Sequence, residues 1–252
     1  MKSAGIILAA GRGTRLGELT ADVPKGLLEV GGVSLIERQV KCLSKYGIRR
    51  VHVVTGYEHE KVAECLNTNE NNRCETNCVY NERWNSANNI YSLYVGKDFV
   101  DEGFVMINSD DIFHPEILKK LIDAPVPDAI VVDDHKKLGD EEMKVKLDDK
   151  GNLTEINKTM DPESSRGEYI GIAKFGPEGA RELFEVLVEF VDRDELGGWY
   201  EEAFGVLSGR RAIKAVSTGG LPWTEIDTPE DLEKAEKEIW PKILKLVKGS
   251  GG

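Results

Sequence analysis

The stretch Ile6–Gly17, IILAAGRGTRLG, decides how the rest of the chain is read. A short apolar run, with the shape of a buried strand, passes directly into a loop holding Gly11, Gly13, Gly17 and the cations Arg12 and Arg15. Glycines leave backbone N–H groups open to approach and tolerate positive φ. Arginine forks match the geometry of phosphate oxygens. A dinucleotide fingerprint needs G-x-G-x-x-G, but its third glycine position is Leu16 here. A P-loop ends in G-K-[ST], which is missing. Two readings remain, a tight surface turn and a triphosphate-binding loop of another kind.

Outward from this loop, strand and helix patterns alternate. Ser3–Ala9, Arg50–Thr55, Asn77–Tyr80, Gly103–Asn108 and Ala129–Val132 read as strands, rich in β-branched and apolar residues. Ser34–Tyr46 has helical spacing with Ser34 and Glu37 in a capping-box pattern and Gly47 as a stop. Glu58–Leu66 is a weaker helix, and Pro115–Ile122 opens with proline where helices prefer it. A βαβ succession of this kind argues for a mostly parallel sheet covered by helices, with ligands beyond the carboxyl ends of the strands. The second half changes character. EEMKVKLDDKGNLTEINKTM alternates around a DDKG turn as a hairpin does, and GEYIGIAKF is a further strand. Helices are expected at Pro177–Val191, Trp199–Ser208 and Thr228–Lys248, with a strand at Arg211–Ser217. Pro241 is expected to bend or break the last helix. The simplest organisation is one domain over 1–248, with an antiparallel acceptor lobe drawn mainly from 133–176 and a linker-like tail at 249–252.

Composition narrows the function classes. The 252 residues suffice for one large core, and the net charge of −12 argues against a nucleic-acid partner. No apolar run is long enough to cross a bilayer or to serve as a signal peptide, so a cytoplasmic protein with no membrane partner is expected. The four cysteines, Cys42, Cys65, Cys74 and Cys78, lack zinc-site spacing and read as reduced thiols.

DVPKGLLEVGG places Lys25 a dozen residues after the loop. With both parts, the chain resembles the nucleotidyltransferase family whose signature is L-A-A-G-x-G-T-R-L, a spacer, then P-K-x-L-x-x-V. Its members make sugar nucleotides and related activated head groups. The resemblance implies a Rossmann-like α/β fold of the nucleotide-diphospho-sugar transferase kind, with a mixed, mostly parallel sheet. It implies that Gly11, Arg12, Gly13 and Thr14 wrap a nucleoside triphosphate, with the backbone of Leu8, Ala10 and Gly11 near the base. It gives Arg15 and Lys25 the catalytic task of neutralising the triphosphate. It also implies Mg²⁺ as cofactor, held by Asp110 of VMINSDDIF and Asp227 of WTEIDTPEDL. Asp111 is open between the site and a cap for the helix after it.

YNERWNSANNIYSLY resembles the segment found in bacterial phosphocholine cytidylyltransferases and their phosphonate-activating relatives. Asn88 or Asn89 is expected to read cytosine, helped by backbone around Ala10 and Gly56, while the other caps a helix; Ser92 belongs to the same nucleotide-binding set. A cationic acceptor needs aromatic faces and carboxylates, and Glu168, Tyr169, Trp199, Tyr200 and Glu201 supply them. Lys144, Lys146 or Lys158 is expected to face the acceptor phosphate. The partners so implied are CTP and a small phosphorylated or phosphonate acceptor, such as phosphocholine or 2-aminoethylphosphonate; a homodimer is a guess from lobe size. The rivals are a sugar-1-phosphate or inositol-1-phosphate nucleotidyltransferase and a non-catalytic regulatory subunit. The last is disfavoured because Arg15, Lys25, Asp110 and Asp227 are all present.

Overall fold

The computed structural model describes residues 4–67, 74–99 and 102–249; Ser3 and 250–252, parts of the expected first strand and tail, lie outside them. The chain opens with β1 (Ala4–Ala9), every residue of which is buried. A small hairpin, β2 (Glu29–Val30) and β3 (Val33–Ser34), leads into α1 (Leu35–Lys45). The expected capping box is present, with Ser34 Oγ accepting from Glu37 N at 3.3 Å and Glu37 Oε2 accepting from Ser34 N at 3.3 Å. Then come β4 (Arg50–Thr55), α2 (His59–Asn67), β5 (Glu75–Tyr80), α3 (Asn89–Tyr94), β6 (Phe104–Asn108), β7 (Asp111–Phe113) and α4 (Pro115–Asp123). The second half holds β8 (Ala129–Asp133), the hairpin β9 (Lys144–Leu147) and β10 (Leu153–Asn157), and β11 (Gly167–Phe175). It closes with α5 (Pro177–Asp192), α6 (Tyr200–Ser208), β12 (Lys214–Ser217), β13 (Trp223–Glu225), α7 (Pro229–Lys234) and α8 (Trp240–Gly249).

Strand β1 is central because it is apolar on both faces. It pairs in parallel with β4 on one side and β6 on the other, Ile7 lying opposite Val53 and Ile107. Ile6 and Leu8 enter one core layer and Ile7 and Ala9 the other, the two-residue period of a strand. The sheet runs β5-β4-β1-β6-β11, and β11 pairs antiparallel with β6, β8 and β9. The expected lobe strands therefore join the main sheet through β11. The chain leaves β1 for β4 on one side and returns to β6 on the other, so a crevice opens at the carboxyl end of β1.

Two features were not expected. The long helix expected from Thr228 onward, with Pro241 bending or breaking it, runs without interruption from Pro229 to Gly249, but not as a regular α-helix. α7 and α8 are joined by a π-helical turn, Ala235–Ile239, just before Trp240 and Pro241. A proline ring clashes with the carbonyl four residues earlier in a regular helix, and the wider turn lies over that position. The other is the pairing of β7 with β13, a three-residue antiparallel ladder with Asp111 opposite Glu225.

Candidate active site

The loop after β1 is anchored from beneath. Thr20 Oγ1 donates to the Gly13 carbonyl at 2.8 Å, Leu16 N donates to the same carbonyl at 3.0 Å, and Leu16 is buried in a core cluster under α7 and α8. Gly11, Arg12, Thr14 and Arg15 stay exposed over the crevice. Gly13 is left-handed at φ 71°, and a Cβ there would stand 3.1 Å from Lys25 Cβ. Gly56 abuts the same loop, since a Cβ on it would lie 2.7 Å from the Ala10 carbonyl. The Arg12 guanidinium lies 5.2 Å from the Tyr57 ring centre. Leu8 itself is core, its carbonyl receiving Ser109 N at 3.1 Å.

The carboxylates are set by the β7–β13 ladder and by Gln39. Buried Gln39 donates to the carbonyls of Asn108 and Asp111, both at 2.9 Å, fixing the turn that carries Asp110. Ile226 N donates to the Asp110 carbonyl at 3.0 Å, which brings Asp227 alongside. Lys25 Nζ then lies 2.6 Å from Asp110 Oδ2 and 2.5 Å from Asp227 Oδ1, and Arg15 reaches Asp227 Oδ2 at 2.6 Å. Four residues far apart in the chain thus meet at one point. Burial pulls the Lys25 ammonium down, but Asp110 and Asp227 outweigh it and hold it above the ordinary range. For Asp227, burial opposes ionisation, and Lys25 and Arg15 overcome it.

Glu225 was missed as a site residue. It offers an oxygen to the same cluster: carboxylate oxygens of Asp110, Glu225 and Asp227 lie within 4.8 Å of one another. Burial, then the charges of Asp110 and Asp227, push its carboxyl up to about 8. Asp110 Oδ1 is buried without a hydrogen-bond partner among the described residues. A divalent cation suits that arrangement, since hard cations take carboxylate oxygens. The available signal for Glu225 was its place two residues before Asp227, which in extended chain puts both on one face.

Beside the carboxylates lies a cleft of about 580 Å³ that includes Arg15, Lys136, Lys158, Trp223, Glu225 and Asp227. A smaller cavity of about 90 Å³ adjoins it and shares Lys158, Glu168, Trp223 and Glu225. Asn89, Tyr169, Trp199 and Glu201, all expected site residues, line the smaller one. Glu168 reaches it while paired to Lys136 at 2.7 Å. Burial pushes the Glu201 carboxyl up to about 7.

Several expectations need correction. Lys144 does not face an acceptor. It is wholly buried, and its ammonium donates to the carbonyls of Gly139, Asp140 and Glu142 at 3.1, 2.8 and 3.1 Å. Alternation along β9 identified its face but not the loop that folds over it. Lys146 is paired with Glu155 at 2.7 Å, which leaves Lys158 as the lysine at the cavity. Tyr200 is buried behind the wall, its hydroxyl donating to Asn108 Oδ1 at 3.0 Å. Ser92 is buried inside α3, accepting from Asn81 Nδ2 at 3.0 Å. Asn88 is the cap of α3 and donates to the Gly197 carbonyl at 3.2 Å; Asn89 accepts from Tyr200 N at 3.0 Å, tying α3 to α6. Both asparagines are therefore engaged by backbone groups. The helix after Asp111 is capped by His114, whose ring accepts from Glu116 N at 3.2 Å, so Asp111 remains with the site.

Comparison with known proteins adds three findings. A model of the MobA-like NTP transferase domain matches residues 5–156. Among curated relatives, the bifunctional IPC transferase and DIPP synthase of Aquifex aeolicus is 29% identical, over 100% of this chain and 54% of that protein. The CMP-5'-(3-aminopropyl)phosphonate synthase of Streptomyces rubellomurinus is 28% identical, over 97% of this chain and 41% of that protein. The chain thus spans about half the length of these two relatives. Among solved structures, the CTP:phosphocholine cytidylyltransferase of Streptococcus pneumoniae superposes with a TM-score of 0.75 at 22% identity, covering 94% of this chain and 99% of that one. The fold is that of the nucleotide-diphospho-sugar transferases, a mostly parallel mixed sheet flanked by helices. No helix among the described residues is long and apolar enough to cross a membrane.

Proposed function

The chain belongs to the MobA-like NTP transferase family, and on that footing we propose that it is a Mg²⁺-dependent cytidylyltransferase acting on a small amine-bearing phosphate or phosphonate. The observation that carries this reading is the meeting of Lys25 and Arg15 with Asp110 and Asp227 at the end of β1, next to an acidic and aromatic cavity. The cytidine part is supported by the CMP and CTP in the names of similar proteins.

An ionised acceptor oxygen attacks the α-phosphorus of CTP. A new P–O bond forms there, the bond to the β-phosphate oxygen breaks, and pyrophosphate leaves with the electron pair. The nucleophile is already an anion, so no side chain has to remove a proton. Catalysis is positioning and neutralisation of charge. The loop Gly11–Arg15 presents bare backbone and guanidinium groups to the triphosphate. Lys25, held protonated, places one positive charge where the phosphates and the carboxylates meet. Asp110, Asp227 and Glu225 would hold Mg²⁺, which when bound neutralises phosphate oxygens.

The test is pyrophosphate release with CTP and Mg²⁺ against phosphocholine, phosphoethanolamine, 2-aminoethylphosphonate, inositol-1-phosphate and glucose-1-phosphate. Turnover with an amine-bearing acceptor is expected. Turnover only with inositol-1-phosphate or glucose-1-phosphate, or only with another nucleotide, overturns the reading.

A further inference from the structure

The small cavity is lined by carboxylates and by two tryptophans. Its wall holds Glu201, fully buried, with Oε2 lacking any hydrogen-bond partner among the described residues. Asp111 is equally buried, and its Oδ2 is likewise unpartnered. The Gly171 backbone packs closely against Asp111. Gly171 is left-handed at φ 76°, and a Cβ on it would stand 2.6 Å from that oxygen. Trp199 and Trp223 also line the cavity, but lysines of the same chain already lie against their rings. Lys158 Nζ is 5.2 Å from the Trp199 ring centre, and Lys136 Nζ is 5.7 Å from that of Trp223.

These two facts point the same way. A buried carboxylate oxygen without a donor is destabilising, and a group with N–H bonds relieves it. A quaternary ammonium has no such bond and is recognised by aromatic faces, which here carry lysines. Resting on the cytidylyltransferase reading above, we infer that the cavity at Glu201 and Asp111 is a subsite for the primary ammonium of the acceptor and discriminates against a trimethylated one. Lys158 lines both the cavity and the larger cleft, so it stands where the acceptor's anionic end passes toward the triphosphate loop.

The experiment compares matched acceptors in the wild-type protein and in Glu201→Gln, with CTP and Mg²⁺. One pair is phosphoethanolamine and phosphocholine; the other is 2-aminoethylphosphonate and its N-trimethyl analogue. The wild type is expected to favour the primary amine by at least about a hundredfold in kcat/KM, because sites built to accept hydrogen bonds reject analogues lacking the donors. Most of the difference should lie in KM. Glu201→Gln should shrink that ratio at least about tenfold by weakening the primary amine alone. Equal kcat/KM for the two members of each pair overturns the subsite and leaves the cytidylyltransferase reading standing. A parallel loss with both members in Glu201→Gln assigns Glu201 a structural role and overturns its part in selection. No turnover of any amine-bearing acceptor overturns the subsite and the reading beneath it together.

Discussion

Replacing Glu201 with glutamine should stabilise the protein, and more so as pH rises. Burial lifts the Glu201 carboxyl from 4.5 to about 7. Between those values the unfolded chain releases its proton while the native chain keeps it. The native state then binds more protons, so stability falls with increasing pH. At about 1.4 kcal/mol per pK unit, the penalty is about 2 kcal/mol at pH 6 and about 3 kcal/mol at pH 8. Glutamine has the same shape and is neutral throughout, like the protonated acid, so it carries none of this penalty. The attraction of Lys158 and the repulsion of Asp110 act on the charged carboxylate alone and are already contained in that raised value. The gap between Glu201→Gln and wild type should therefore widen by about 1 kcal/mol from pH 6 to pH 8. Urea unfolding of both proteins at both pH values measures it, with equal m-values required for the comparison. A gap that does not change with pH would refute the view that burial raises the Glu201 carboxyl.

Lys25→Ala should lower kcat/KM for CTP by at least about a hundredfold with an unchanged far-UV circular dichroism spectrum, and near-normal turnover would remove Lys25 from the site. Glu225→Gln should weaken Mn²⁺ binding, followed by electron paramagnetic resonance, by about tenfold or more; unchanged affinity would exclude Glu225 as a ligand. Gly171→Ala combines a left-handed backbone with a Cβ 2.6 Å from Asn108 Nδ2 and Asp111 Oδ2, so a loss of about 2–4 kcal/mol in urea unfolding is expected. Ser34→Ala breaks the α1 capping box and should cost about 1 kcal/mol, while leaving turnover per folded molecule unchanged.

What the sequence disclosed follows from where the stabilising interactions lie. Strands β4 and β11 match their expected bounds because each is a buried run between polar turns, and α1 is announced by its own cap. The loop, Lys25, Asp110 and Asp227 were legible as a set because their order along the chain is the family's signature. Glu225 was not, because its role depends on β7, a three-residue strand that exists only through its pairing with β13. Lys144 misled for a related reason, whereas Asn88 is the helix cap that one asparagine of the pair was expected to supply. A side chain's face can be read from periodicity, but the carbonyls that engage Lys144 come from the irregular segment just before β9, and the amide that engages Asn89 comes from the start of α6.

The ladder between Asp111–Phe113 and Trp223–Glu225 also joins segments that leave the ribosome far apart in time. The phosphate loop, Lys25 and Asp110 emerge early, whereas Glu225 and Asp227 follow more than a hundred residues later. At synthesis rates of about 5–20 residues per second that interval is on the order of ten seconds. The cluster of Asp110, Glu225 and Asp227 is complete only when β13 has been made and pairs with β7.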